Sequence, residues 1–318
     1  MRLRKYLVVV TLIFIVMAFS RGNAAAYNMA EYVPLNEGDT WTWLMTMSMK
    51  KIRMPPMLLT RFVNGTELVD GVETMKFKGK MYLIPIRGYD CLAVDSEGIK
   101  WYRTYNPNGT FRIYDPPMIM YPAQLDLGDV HQSSWSYTDY DKDENILVTG
   151  TGSGETSIEL VENVTVRAGT FEDCLKISDS MTEQSSDGGI REINSTVWLA
   201  RNVWQVKVDS TWYWSHPVEE DFELTADMEL IGAAVDGVHY GCLATSALGG
   251  DSRKKDRNAL RKFRDEVLSK TPAGQEIIKL YYEWSPAIVN AMVEDEEFKK
   301  EVKELIEGIL PMIRGLVE

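Results

Sequence analysis

Trp41-Thr42-Trp43-Leu44-Met45-Thr46-Met47-Ser48-Met49 alternates large apolar and mostly small polar residues without a break. Side chains change face at every residue in a strand, whereas a helix repeats every 3.6 residues. Extended, this stretch puts Trp41, Trp43, Met45, Met47 and Met49 on one face and Thr42, Leu44, Thr46 and Ser48 on the other. It therefore reads as β. The Trp/Met face suits either a packed core or the wall of an apolar cavity, and Trp41, Trp43, Met45 and Met47 are the ligand-contacting candidates. Alternate thioethers are also soft ligands of the kind that suits Cu(I). No histidine lies nearby in sequence, so core or apolar cavity is preferred, and no metal or cofactor is assigned.

Outward from that strand the same grammar continues. Asp70-Gly71, Asn108-Gly109 and Gly188-Gly189 each sit between strand-like runs, the usual mark of a tight hairpin. Ser96-Glu97-Gly98 reads the same way. Further strands are expected at 132–140, 156–166, 174–181, 191–199, 203–214 and 221–231. Hairpins in series force neighbours to run antiparallel, so residues 27–232 are expected to form one large meander sheet, curled into a half-barrel or nearly closed.

Three segments carry a resemblance. Tyr32-Val33-Pro34-Leu35-Asn36-Glu37-Gly38-Asp39-Thr40-Trp41-Thr42, then Val166-Arg167-Ala168-Gly169-Thr170-Phe171-Glu172-Asp173-Cys174-Leu175-Lys176-Ile177, then Trp198-Leu199-Ala200-Arg201-Asn202-Val203-Trp204-Gln205-Val206-Lys207 occur in that order. Together they resemble a loose family of secreted bacterial and archaeal β-proteins and lipoproteins. The resemblance implies an extracytoplasmic antiparallel sheet like the half-barrels of lipoprotein carriers, and it implies no activity. The family's usual glycine after the Val of the last element is Trp204 here.

After residue 232 the pattern changes. Residues 233–250 read as a linker ending in the small-residue box Gly241-Cys242-Leu243-Ala244-Thr245-Ser246-Ala247-Leu248-Gly249-Gly250. Residues 251–318 read as three to four short helices. Leu260, Phe263, Val267 and Leu268 make one apolar face. Thr271-Pro272 and Ser285-Pro286 each look like an N-cap followed by a helix-starting proline. In the last helix Phe298, Val302, Leu305, Ile306, Ile309 and Ile313 share a face. That face, within 298–313, is a candidate for membrane contact or for docking on the rest of the chain. Pro311 is expected to kink the helix. Residues 241–286 also resemble the C-terminal domain named for its Cys-Phe-Ile box. The matching pieces are Leu243 to Gly249, Leu260 to Leu268, Thr271-Pro272-Ala273-Gly274 and Leu280-Tyr281-Tyr282-Glu283-Trp284-Ser285-Pro286. Aligned on Ala244-Thr245, the box's cysteine position falls on Gly241, so Cys242 stands one place late.

The N-terminus has the form of a signal peptide over residues 1–26. Arg2, Arg4 and Lys5 precede an apolar run, Tyr6 to Phe19, too short to span a bilayer comfortably, and Ala24-Ala25-Ala26 suits a signal peptidase. The chain is expected to be secreted, periplasmic or at the cell surface. Removing residues 1–26 takes away Arg2, Arg4, Lys5 and Arg21 and no acid, so the net charge of −13 deepens to −17. Such a surface repels phosphate backbones, and nucleic acid is excluded as a partner. An apolar small molecule or an envelope protein fits better.

The cysteines are Cys91, Cys174 and Cys242. In an oxidising compartment Cys91 and Cys174 are the candidate disulfide; two buried free thiols are the alternative. Cys242 and His239, three residues apart, could supply a thiol and its base, but no third group stands at a diagnostic spacing, and two ligands are too few for a closed zinc site. The acidic run Tyr137 to Asn145 has alternate carboxylates, yet lacks the glycine and closing glutamate of a twelve-residue calcium loop. Asn64, Asn108, Asn163 and Asn194 head glycosylation sequons. The resulting expectation is a non-catalytic extracytoplasmic protein that binds an apolar ligand or envelope partner through its β domain, with the helices for docking or assembly. The alternative is a cysteine-dependent enzyme, or a maturation event, centred on Cys242.

Overall fold

In the computed structural model, residues 26–50, 52–81, 88–240 and 254–317 are described. Twelve long strands follow one another in the chain. They are β1 (Thr40–Met49), β2 (Met57–Val69), β3 (Val72–Met81), β4 (Tyr89–Val94), β5 (Gly98–Tyr105), β6 (Phe111–Pro122), β7 (Val130–Tyr140), β8 (Ile146–Val166), β9 (Gly169–Ser185), β10 (Ile190–Ala200), β11 (Trp204–His216) and β12 (Glu219–Val235). Each pairs antiparallel with the next, and β12 returns to pair with β1 from Leu224↔Met49 to Ala234↔Thr40. The sheet therefore closes into a twelve-stranded barrel, a correction to the expected half-barrel. Closure removes the two exposed edges that an open meander would leave.

The register fixes which residues point inward. Trp43 stands opposite Leu230 and Leu59, and Met45 opposite Met228 and Met57. The odd-numbered face of β1 thus lines the interior, as its alternation predicts. The outer wall of β8 to β12 carries Thr149, Thr151, Ser153, Glu155, Ser178, Thr182, Glu192, Thr196, Lys207, Asp209, Thr211, Glu223, Thr225 and Asp227. A lipid-facing barrel would show an apolar band there; this wall meets water.

One end of the barrel is packed shut. Trp41, Trp43, Phe77, Ile99, Tyr121, Ile158, Leu175, Ile177, Leu199 and Leu230 form the centre of the core there. The N-terminal segment plugs it with Met29, Tyr32, Val33 and Leu35, all buried. Asp39, itself buried, accepts from the backbone N–H of Asn36 and of Asp236, tying the plug to the β12 end. Trp204 sits at a φ of +83°, a conformation that favours glycine. Its ring lies 5.2 Å from Trp41 and 4.8 Å from Phe77, so aromatic packing holds a residue where the backbone alone would prefer none.

Residues 233–240, expected to be a linker, are β instead. The β12 strand runs to Val235, turns at Asp236-Gly237 and pairs back through Val238–Tyr240. Asp236 and Gly237 have φ of 49° and 74°, as Asp70 and Gly71 have 50° and 83°. These are the two positive values that a primed hairpin turn demands.

Three helices follow: α1 (Lys254–Lys262), α2 (Pro272–Glu294) and α3 (Glu296–Val317), with a short π turn and a 3₁₀ turn between α1 and α2. Two of them exceed twenty residues, so they are longer than expected. Thr271 caps α2, its hydroxyl accepting from Gly274 N at 3.0 Å. Ser285-Pro286 does not start a new helix. The helix runs straight through, and Ser285 Oγ donates to Tyr281 O one turn back at 2.5 Å, which satisfies the hydroxyl inside the helix. Likewise α3 continues on both sides of Pro311. Val302, Ile306 and Leu310 of α3 and Met292 of α2 bury against Leu44, Leu58 and Ile231 on the outer wall of β1, β2 and β12. The face proposed for membrane contact over 298–313 is thus partly the docking face. Each buried aliphatic side chain there contributes about 1.5–3 kcal/mol. No helix among the described residues is long and apolar enough to cross a membrane.

Cys91 and Cys174 are both free and fully buried. They lie in different clusters: Cys174 in the main core, Cys91 with Val69, Ala93 and Tyr102 outside it. The free-thiol alternative therefore holds in place of the disulfide. The signal peptide and the Cys242 box fall outside the described residues.

Candidate functional site at the open end of the barrel

At the far end of the barrel, where β1 finishes at Met49 and β12 begins at Glu219, no plug is formed among the described residues. A cavity of about 620 Å³ opens there, within the range that holds small ligands. Its apolar and aromatic lining is Trp214, Phe222, Ile190, Val148 and Tyr137. Trp214 packs on Phe222 at 5.3 Å and on Trp212 at 5.6 Å. Its charged lining is Arg112, Asp139, Glu183 and Arg191, on strands interleaved with the apolar residues.

Cross-strand register builds the charged wall. Arg112 of β6 stands opposite Asp139 of β7, and Glu183 of β9 opposite Arg191 of β10. Arg112 grips Asp139 with two bonds, Nε to Oδ1 at 2.6 Å and Nη2 to Oδ2 at 2.7 Å. Its Nη1 donates to Glu183 Oε2 at 2.7 Å. Arg191 Nη2 donates to the same Oε2 at 2.7 Å, and Trp135 Nε1 to Oε1 at 3.1 Å. Glu183 is only 2% exposed, and these three donors are what make its burial tolerable. Burial disfavours the charge on Arg112, but Asp139 and Glu183 outweigh it and raise its pKa. Burial raises the phenols of Tyr114 and Tyr137 beside it.

Trp135 reaches Glu183 because β8 makes room. Gly150, Gly152 and Gly154 face inward at alternate positions, opposite Tyr137, Trp135 and Ser133. A Cβ on Gly152 would meet the Trp135 ring at 2.3 Å, and one on Gly150 would meet Tyr137 at 2.3 Å. The aromatic rings occupy the space that these glycines leave.

Below this layer comes an apolar step of Met181, Ile193, Trp212 and Leu224, and then a polar one. Asp179 faces in with Thr156 on one side and Ser195 on the other, and Ser210 follows beyond Ser195. Thr156 Oγ1 donates to Asp179 at 2.7 Å. Burial pushes the Asp179 carboxyl up to about 6 against that hydrogen bond.

The sequence-predicted residues divide between the two ends. Trp41 and Trp43 lie in the closed half, with indole N–H groups donating to Val203 O and to Gln205 O, the latter at 2.8 Å; Met45 is buried beside them. Met47 is partly exposed and Met49 more so, both toward the open end. His239 lies in the short strand after β12; Cys242, its expected partner, is outside the described residues. Asp141 turns its oxygens onto the N–H groups of Asp143 and Asn145 and the Asn145 amide, a self-satisfied turn. Among the described residues no group of three His, Cys, Asp or Glu is placed to hold a metal ion. The charged wall was missed in the sequence reading. The Gly150-x-Gly152-x-Gly154 spacing against Trp135-x-Tyr137 is the signal that could have found part of it.

No family model matches the chain, and no curated protein matches it. Two solved structures show a partial likeness. One is a candidate lipoprotein from Parabacteroides distasonis, 15% identical, TM-score 0.32, over 63% of this chain and 96% of that one. The other is a candidate exported protein with a YmcC-like fold from Bacteroides fragilis, 13% identical, TM-score 0.36, over the same shares. Neither likeness is close enough to carry a function across.

Proposed function

We propose that this is an extracytoplasmic binding protein without a catalytic step, whose open barrel end receives a small molecule with an apolar body. The observation that carries the reading is the cavity of about 620 Å³ with Trp214, Phe222, Ile190 and Val148 in its lining, in a barrel whose other end is packed by an apolar core. The apolar surface of the open end leaves water when a ligand enters, at about 25 cal/mol per Å². The charge-then-apolar N-terminus, ending in Ala24-Ala25-Ala26, supports export. The helices brace the outer wall of β12, β1 and β2, far from the cavity's lining residues, which suits docking or assembly.

The test is titration of the folded protein with the fluorescent probe N-phenyl-1-naphthylamine. The reading expects saturable emission at one site per chain, lost in Trp214→Ala and kept in Leu305→Ala on the exposed face of α3. No saturable emission, or equal emission from the Trp214→Ala variant, sinks it.

A further inference from the structure

The two arginines of the cavity wall are not equivalent. Arg112 is saturated: Nε and Nη2 hold Asp139, Nη1 holds Glu183, and the guanidinium stacks 3.8 Å over the Tyr137 ring. Glu183 is saturated too, by Arg112, Arg191 and Trp135. Arg191 makes a single side-chain hydrogen bond among the described residues, Nη2 to an oxygen it shares with Arg112. Its Nε is enclosed with no acceptor, and the side chain is 25% exposed at the cavity wall. A guanidinium carries five donors in a planar fork shaped for a carboxylate. An enclosed N–H without an acceptor costs about 1–3 kcal/mol, which an incoming acceptor would remove.

Beside this fork, Trp214 stands in register with Arg191 on the neighbouring strand and Phe222 with Trp214 on the next. We infer that the ligand is a monocarboxylate amphiphile, its carboxylate on Arg191 and its apolar body on Trp214 and Phe222. This rests on the reading of the open end as a binding cavity and names the ligand class. The acids near the mouth do not stand against it. Asp187 is occupied by Ser185 Oγ and Gly189 N and lies 3.6 Å from His216 Nε2. Glu220 is paired with Lys50 at 2.5 Å. Asp139 is covered by Arg112. A carboxylate entering beside Arg191 therefore meets donors first, and a cationic headgroup would meet a guanidinium.

The probes are decanoate and decanol, which share an apolar body and differ at the head. Binding is read by calorimetry and by quenching of tryptophan emission at pH 7.5. The wild-type protein is expected to bind decanoate at least tenfold more tightly than decanol, the size of preference a charge-assisted pair gives. Arg191→Gln is expected to abolish that preference, and Arg191→Lys to restore part of it. Glu183 keeps Arg112 and Trp135 in Arg191→Gln, and the melting curve of the variant reports whether the fold survives. Equal binding of the two probes by the wild type overturns the inference and leaves the apolar-cavity reading standing. So does a preference that persists in Arg191→Gln. Binding of neither probe overturns both.

Discussion

Trp135 lies against Gly152 so closely that a β-carbon on Gly152 would stand 2.3 Å from the indole Cε2. The indole held there donates to Glu183, so one missing side chain on β8 positions one buried carboxylate on β9. Gly152→Ala must push Trp135 off its site, and over-packing of this kind costs about 1–3 kcal/mol. The expected result is a lower denaturation midpoint together with a shifted tryptophan emission maximum. An unchanged midpoint would mean that the ring is not held there.

Glu183 is the hub of the charged wall, and its loss leaves two guanidinium groups short of an acceptor in an enclosed place. Removing one partner from a buried charge network costs about 3–5 kcal/mol. Glu183→Ala is therefore expected to cost that much in urea denaturation. Glu304→Ala, which cuts an exposed pair with Lys300, should cost under about 1 kcal/mol. Similar losses for the two variants would contradict the placement of Glu183.

The β character, the inward Trp41/Trp43/Met45 face, most strand positions and the Thr271 cap could all be read along the chain, because each is a local pattern. Closure could not. It depends on β12 finding β1 nearly two hundred positions away, and no local signal records a long-range register. The first ten residues of β8 were missed for a related reason. Glycines at 150, 152 and 154 weaken a strand by their own preference, and only Trp135 and Tyr137 on the neighbouring strand fill the gaps. The cavity was sought at Trp41 and Trp43 because aromatic residues suit both core and cavity walls; the plug formed by Met29 to Leu35 decided for core. Arg112 and Arg191 carried no signal of their own, because strand parity becomes meaningful only once the barrel's inside is known.

Asp179 makes stability depend on pH in an unusual direction. Its folded pKa is about 6, above the ordinary value near 3.9. Between about pH 4 and 6 the folded chain holds the proton more tightly than the unfolded chain, so this group's contribution to stability falls as pH rises through that window. Glu67, Asp95, Asp141, Asp187 and Glu220 are lowered and act in the opposite sense, so the effect shows in a difference. Asp179→Asn, which keeps an acceptor for Thr156, is expected to gain up to about 3 kcal/mol at pH 8. The gain should fade to nothing by about pH 4. A variant equally stable relative to wild type at both pH values would refute the raised carboxyl.

Burial pushes the thiols of Cys91 and Cys174 up to about 11, and both side chains are fully enclosed. The thiolate is the reactive form, so both are shielded twice, by protonation and by access. With iodoacetamide at pH 8, neither is expected to be modified in the folded protein, and both should be modified once urea unfolds it. Peptide-resolved mass spectrometry gives the answer. A Cys91–Cys174 cross-linked peptide pair, or rapid native modification, would contradict the structure.

Ile306 is the point where the helical module is easiest to detach without touching the barrel's own core. It buries against Leu44, Leu58 and Ile231, in a cluster separate from the one around Trp41 and Leu230. An unpaired charge buried there is costly enough to expel the helix, so Ile306→Asp is expected to release α3 while the twelve strands keep their hydrogen bonds. Hydrogen exchange should show α2 and α3 losing protection and β8 to β11 retaining it. An apolar dye should bind the uncovered patch on β1, β2 and β12. Loss of protection throughout the barrel would show instead that the helices are part of one cooperative unit with the sheet.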